Sequence, residues 1–246
     1  MRRKLKFFIR ASFNFLIFGR FAPTEYVVID EKRLVYIVNS KVACSSIKKT
    51  LIRKTVCDDC RGLIHDELSR NTLQKLPVDI RNEYDFFTFV RNPFDRVVSC
   101  YVDKFIKERS RRRDSMYFDD YLFGYLATTK DFSDFVRRII KIPFFLSDRH
   151  FLPQCKLITD QGLPALTIKK FESLEDDFKS IKDRFKLKDL PHFNYTKKID
   201  WRLFYTKETT ELVYRYYKED VDTFGYKDEY LGLLEFIEAK NDEERS

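Results

Sequence analysis

The sequence has no internal repeat and no low-complexity stretch that would divide it. Its 246 residues, 43% of them hydrophobic, are therefore enough to bury one substantial core. The apolar amino terminus, MRRKLKFFIRASFNFLIFGRF, lacks the run of roughly 18 uncharged residues that a spanning helix requires, because Lys6, Arg10 and Asn14 interrupt it. No small-residue cleavage site follows, which argues against a signal peptide. The five cysteines (Cys44, Cys57, Cys60, Cys100, Cys155) are odd in number and irregularly spaced in a chain too large to need staples, so reduced thiols in a reducing compartment are expected. Cys57 and Cys60 form a C-x-x-C with no second pair, which speaks against a zinc site.

Basic charge is in surplus. Lys and Arg number 47 against 39 for Asp and Glu, a formal charge of +8, which favours an anionic partner without choosing among nucleic acid, nucleotide, acidic glycan and membrane surface. The run RSRRR at 109–113 reads as a solvated loop or as a device that steers an acidic glycan. At the amino terminus, Lys6, Arg10 and Asn14 recur every four residues, a narrow polar stripe against a wide Phe-rich helical face that ends near Gly19. That face either packs on the protein's own core or lies in a membrane interface with Arg2, Arg3 and Lys4 near anionic lipid. Residues 1–22 are set apart as this amphipathic segment, with a single domain expected over 23–246.

Past that segment, short apolar runs alternate with amphipathic ones. LVYIV (34–38), FFTFV (86–90) and ALTIKKF (165–171) read as strands, and each leads into a helix-like segment. Ser173 with Asp176 resembles a capping arrangement for the third of these helices, and Thr206 is a candidate cap for a helix over 207–221. A further helix is expected at 131–142. Strand, turn and helix recurring in this order imply an α/β fold, a central parallel sheet covered by helices. Ligands bind such sheets outside the carboxyl ends of the strands.

At one such end stands NSKVACSSIKK (39–49). A loop of small residues, Val42 to Ser46, leaves its backbone N–H groups accessible, and the following helix turns its positive dipole end towards them, an arrangement suited to phosphate. Lys41 and Lys48 bracket it. The loop has no glycine and lacks the Gly-Lys-Ser/Thr order whose hydroxyl binds magnesium, so it is not a Walker A sequence. At the next strand end comes RNPFDRVVSCYVDKF, with Arg91 at the strand terminus and Ser99 inside the helix. The helical spacing puts Asp95, Arg96, Ser99 and Asp103 on one polar face, with Val98, Tyr101, Val102 and Phe105 packing inward. An Arg fork and a Ser hydroxyl suit a second anion, and one ligand with two phosphate groups accounts for both places.

SKVACSSIKK together with VRNPFDRVVSCYVDKF resembles the paired 5′-phosphosulfate and 3′-phosphate motifs of the sulfotransferases, in particular the carbohydrate (Golgi-type) branch, with a bacterial-type member expected. HFLPQCKLI, IKKFESLEDDFKSI, LPHFNYTKK and YRYYKEDVDTFGY resemble later landmarks of that branch, extending the similarity from about Val35 to Tyr226. Ser40 stands where the branch usually has proline, and Ile47 where it usually has tryptophan. The resemblance implies a P-loop-kinase-like three-layer fold and 3′-phosphoadenosine-5′-phosphosulfate (PAPS) as co-substrate, with no metal. Carried over residue by residue, it gives the 5′-phosphosulfate to the amides of Val42, Ala43, Cys44, Ser45 and Ser46, with Lys41 at the bridging oxygen and Lys48 assisting. Arg91 and Ser99 would bind the 3′-phosphate.

Only three histidines, His65, His150 and His192, are available to take the acceptor's proton near neutral pH. His65 is the choice, because the resembling family often places a His before its 3′-phosphate motif. His150 is next, and Asp66 or Glu67 would serve if burial raised a carboxylate's pKa. The expected function is carbohydrate O-sulfotransfer to a glycan or glycolipid, with no nucleic-acid partner. A P-loop-like nucleotide kinase or phosphotransferase and a non-catalytic polyanion- or membrane-binding module are the alternatives. The expected location is cytoplasmic, with at most peripheral membrane contact through residues 1–20.

Overall fold

The computed structural model describes residues 12–52, 72–107, 118–159, 162–163, 165–190 and 199–243. Among these, five strands form one sheet: β1 (Tyr26–Ile29), β2 (Leu34–Ile37), β3 (Thr72–Leu73), β4 (Asp85–Val90) and β5 (Leu166–Lys170), in the order β3-β1-β2-β4-β5. The described α-helices are α1 (12–18), α2 (Cys44–Ile52), α3 (Val78–Glu83), α4 (Pro93–Tyr101), α5 (Phe132–Ile139), α6 (Gln154–Ile158), α7 (Leu174–Phe185), α8 (Lys207–Tyr216), α9 (Lys218–Phe224) and α10 (Lys227–Glu243). The chain folds into two compact units interleaved in sequence, one of residues Thr24–Arg91 and Lys156–Lys198, the other of Met1–Pro23, Asn92–Cys155 and Ile199–Ser246.

The first unit holds the sheet. Strands β2, β4 and β5 pair in parallel, as the apolar runs imply. The sheet is nonetheless mixed, because β1 pairs antiparallel with both β2 and β3. The β1–β2 hairpin turns through Asp30–Lys32, and Arg33 adopts a left-handed φ of 46° with its N–H on the Asp30 carbonyl at 3.0 Å. Alternation along the strands makes two apolar faces. Val27, Leu34, Tyr36, Phe87 and Phe89 pack with Ile47 of α2 and with Phe178 and Ile181 of α7. On the opposite face Tyr26, Val35, Ile37 and Phe86 pack with Leu76 and with Ile80 of α3. Helix, sheet and helix thus make the three-layer α/β arrangement.

The second unit is helical, and its core is aromatic. The Tyr101 ring lies 5.5 Å from Phe105 and 5.6 Å from both Phe132 and Phe135, and the Tyr205 hydroxyl donates to the Phe94 carbonyl at 2.9 Å. Helix α4 starts where Pro93 supplies a preset φ and the Asn92 side chain accepts the Phe94 N–H at 2.9 Å. It continues as a π-helical segment through Val102–Lys107. Asp131 caps α5 by accepting the Asp134 N–H at 2.8 Å. Thr206 caps α8 in a reciprocal box with Thr209, as expected. The single helix expected over 207–221 is instead broken at Tyr217 into α8 and α9. In the first unit the expected Ser173–Asp176 cap of α7 does not form: the Ser173 hydroxyl donates to the Asp177 carboxylate at 2.7 Å. Lys169 also reaches Asp177, at 3.0 Å, so that carboxylate, and not Asp176, is the partner of Ser173.

Candidate functional site

Strand β2 ends at Ile37 and α2 begins at Cys44, so residues 38–43 turn at the carboxyl end of a parallel strand. Two residues of this turn, Lys41 (φ 71°) and Ala43 (φ 58°), sit in the left-handed region without being glycine. Each such residue costs on the order of 1–2 kcal/mol, so the turn persists only where its surroundings hold it. Several contacts do that. Val42 and Ile47 are fully buried in the sheet core and contribute about 1.5–3 kcal/mol each. The buried Asn39 amide donates to the Phe89 carbonyl of neighbouring β4 at 3.0 Å. Arg91 Nη1 donates to the Lys41 carbonyl at 2.9 Å.

A backbone that alternates in handedness gathers successive N–H groups into a concave cradle for an anion. Among the described residues the N–H groups of Val42, Ala43, Cys44 and Ser45 have no hydrogen-bond acceptor, whereas those of Ser46 and Ile47 both donate to the Ala43 carbonyl, at 2.9 and 3.1 Å. The amide of Ser46 is therefore committed to the first turn of α2. Ser45 is exposed and Ser46 partly so. Tyr36 lies in the core cluster against which Cys44 packs, and burial, reinforced by Cys44, pushes its phenol well above the ordinary value. That hydroxyl stays neutral and adds no charge to the turn. Ile47 points into the core, so it packs the sheet and presents no face to a ligand.

The half-buried Lys48 makes a 3.3 Å ion pair with Glu25, just before β1. Sequence reasoning did not anticipate Glu25, although an acid opening an apolar run beside a basic helix is a readable signal. Arg91 follows β4, and its guanidinium carbon lies 4.4 Å over the ring of Phe171, the residue after β5. The structure thus brings Lys41 and Arg91 together at the carboxyl ends of β2 and β4 and adds Phe171, for which no local motif gave warning.

In the other unit, Asp95, Ser99 and Asp103 of the α4 segment are partly exposed, as the helical spacing implies. Arg96 departs from that face. It is fully buried and donates Nη1 to the Leu152 carbonyl at 2.9 Å and Nη2 to the Arg149 carbonyl at 2.8 Å. In the same unit His150 Nδ1 lies 2.5 Å from Asp148 Oδ1, which also accepts the His150 backbone N–H at 2.9 Å. Burial would raise the Asp148 pKa, but the charge and hydrogen bonds of His150 outweigh it and hold the carboxyl below the usual range. In the neutral imidazole, an Nδ1–H donated to Asp148 leaves Nε2 as the acceptor nitrogen; in the charged form both nitrogens donate. His65, Asp66, Glu67, His192, Cys57, Cys60 and residues 109–113 lie outside the described residues.

The α/β sheet thus ends its central parallel strand in a strained, core-anchored turn of open amides with an arginine fixed beside it, at the edge where ligands bind in open α/β sheets. The profile of the sulfotransferase family matches residues 24–227, and the chain belongs to that family. It is 28% identical over 198 residues to carbohydrate sulfotransferase 14 of Danio rerio, covering 74% of this chain and 53% of that protein. The chain therefore spans about half the length of the curated relative it matches. No solved structure matches it.

Proposed function

We propose that the chain is a carbohydrate O-sulfotransferase that uses PAPS, without a metal, to sulfate a hydroxyl of a glycan or glycolipid. The observation that carries this reading is the turn at 38–43 with the start of α2: left-handed Lys41 and Ala43, four N–H groups without an acceptor among the described residues, and anchorage by Val42 and Arg91. These groups, together with Lys41 and Arg91, donate hydrogen bonds or carry positive charge, as a polyanionic nucleotide requires. When bound, that nucleotide supplies the activated sulfuryl group.

In this reading the amides of Val42, Ala43, Cys44 and Ser45 hold the 5′-phosphosulfate, and Ser46 contributes through its hydroxyl because its amide is engaged in α2. Lys41 neutralises charge that develops on the departing phosphate oxygen, a contact worth more in the transition state than in the ground state. Lys48 assists from its place beside Glu25. Arg91 and Ser99 take the 3′-phosphate, an assignment that rests on the motif resemblance. His65 accepts the acceptor's proton, with His150, already oriented by Asp148, as the alternative base.

The test is incubation of the full chain with radiolabelled sulfate donor and a panel of glycans, in the wild type and in Lys41→Ala. Label should pass to a glycan. The substitution should lower turnover by about 10²- to 10³-fold, the usual loss for one oxyanion contact, while donor affinity falls less. Magnesium-dependent ATP turnover with no sulfate transfer would overturn the proposal.

A further inference from the structure

Helix α1 is packed the wrong way round for a helix that serves only its own protein. Its polar Asn14 is buried, with the side-chain amide donating to the Phe21 carbonyl at 3.1 Å. Its apolar residues face outward instead: Leu16 is 83% exposed, Phe13 59% and Ile17 55%. The arrangement is held firmly. Gly19, at φ 65°, ends the helix with its N–H on the Phe15 carbonyl at 2.9 Å, and the Phe21 N–H donates to the Phe145 carbonyl at 2.6 Å. Phe144 and Phe145, from a 3₁₀ turn far along the chain but in the same unit, are also exposed, and the Phe145 ring lies 5.8 Å from that of Phe15. Two segments thus build one outward apolar surface.

An isolated exposed Leu or Phe is ordinary, but a cluster of this kind on a tethered helix marks an interaction site. Apolar side chains held in water forgo the gain of burial, so a partner that covers this surface recovers it. Charge identifies the cover. Residues 1–24 contain Arg2, Arg3, Lys4, Lys6, Arg10 and Arg20 and not one Asp or Glu. Aromatic and aliphatic side chains in a segment whose sequence carries six basic residues and no acidic one match the acyl boundary and headgroups of an anionic bilayer. Among the described residues no helix is long and apolar enough to cross a membrane.

We propose that Phe13, Leu16 and Ile17 of α1, with Phe144 and Phe145, insert into the interface of an anionic lipid bilayer and hold the protein there peripherally. The proposal is independent of the sulfuryl-transfer reading and is read out without nucleotide or acceptor.

The experiment is flotation of the full chain with vesicles of phosphatidylcholine alone and of phosphatidylcholine with about one third phosphatidylserine. The wild type should float with the anionic vesicles, and less so as salt is raised. The double variant Leu16→Glu/Ile17→Glu should lose about tenfold or more in partitioning with an unchanged melting temperature, and Phe145→Glu should lose several-fold. Equal flotation of variants and wild type, or flotation that is indifferent to lipid charge, would overturn the proposal. So would a wild type that stays soluble while the double variant melts far lower, which would make a segment of the chain itself the cover. A wild-type dimer that the double variant dissociates, with no vesicle binding, would assign the face to a second copy and equally overturn it.

Discussion

Arg91 and Arg96 stand five residues apart in one short motif and have opposite fates. Arg91 is only partly buried; one N–H fixes the Lys41 carbonyl and its plane lies over Phe171. Arg96 is wholly buried and committed to the carbonyls of Leu152 and Arg149. A guanidinium offers five donors, so what separates the two is how much water each retains and whether the remaining donors can meet a ligand. In the proposed reading, Arg91 recognises an anion. Arg96 is a structural strut in the helical unit, holding the 149–152 segment that contains His150.

Replacing Arg96 should therefore break folding and spare recognition. Arg96→Met leaves the buried Leu152 carbonyl and the partly buried Arg149 carbonyl without this donor, at about 1–3 kcal/mol each, so unfolding free energy should fall by roughly 2–6 kcal/mol in a denaturant titration. A variant within about 0.5 kcal/mol of wild type would remove the strut role.

Arg91 should show the reverse. Arg91→Ala is expected to cost about 1.5–3 kcal/mol of affinity for adenosine 3′,5′-bisphosphate, the range for hydrogen bonds to charged groups, and to erase the preference over AMP. Its stability loss should be smaller than that of Arg96→Met. Calorimetry with both nucleotides decides the matter, and a retained preference would take the 3′-phosphate away from Arg91.

Asp148 sharpens the comparison through pH. Its carboxyl is held below the usual range in the folded protein, by His150 against the opposing effect of burial. A depressed folded pKa contributes stability that is present above the unfolded value, about 3.9, and is lost as pH falls through the folded value. Asp148→Ala should lower stability at neutral pH by about 1–2 kcal/mol and flatten the acid side of the stability curve below about pH 4. An unchanged acid limb would mean that the dyad does not couple to folding.

Much of this was readable from residue order. The runs at 34–38, 86–90 and 165–171 became β2, β4 and β5 because β-branched and aromatic residues suit a buried parallel sheet. β1 was overlooked although YVVI, then DEKR, then LVYIV is a hairpin pattern, two apolar runs across a short charged turn. Arg96 was misplaced because helical spacing records direction around the axis and is blind to what the other face meets. Once Arg149 and Leu152 approach α4, the side on which Arg96 lies becomes interior. Phe171 was invisible for a related reason: its partner, Arg91, is brought to it only by the parallel pairing of β4 with β5. The turn at 38–43 was legible as a small-residue loop, but the left-handed backbone of Lys41 and Ala43 was not, since sequence usually announces that conformation with glycine.

That last feature gives the smallest and most pointed test. A left-handed alanine carries on the order of 1–2 kcal/mol of strain, which glycine would relieve at a cost of about 0.4–1 kcal/mol through the larger entropy of the unfolded chain. Ala43→Gly should therefore raise stability slightly, by about 1 kcal/mol or less, whereas Ala43→Val, with a branched Cβ at the same φ, should lower it. No Cβ at 43 is needed for the N–H groups to point inward, so Ala43→Gly should still bind nucleotide, though more weakly if the preset shape is lost to flexibility. Stability rising while affinity falls is the expected signature of strain kept for the sake of a preformed cradle. If Ala43→Gly destabilises the protein, or if both quantities rise together, the left-handed turn is not a strained cradle and the contrast with Arg96 loses its structural basis.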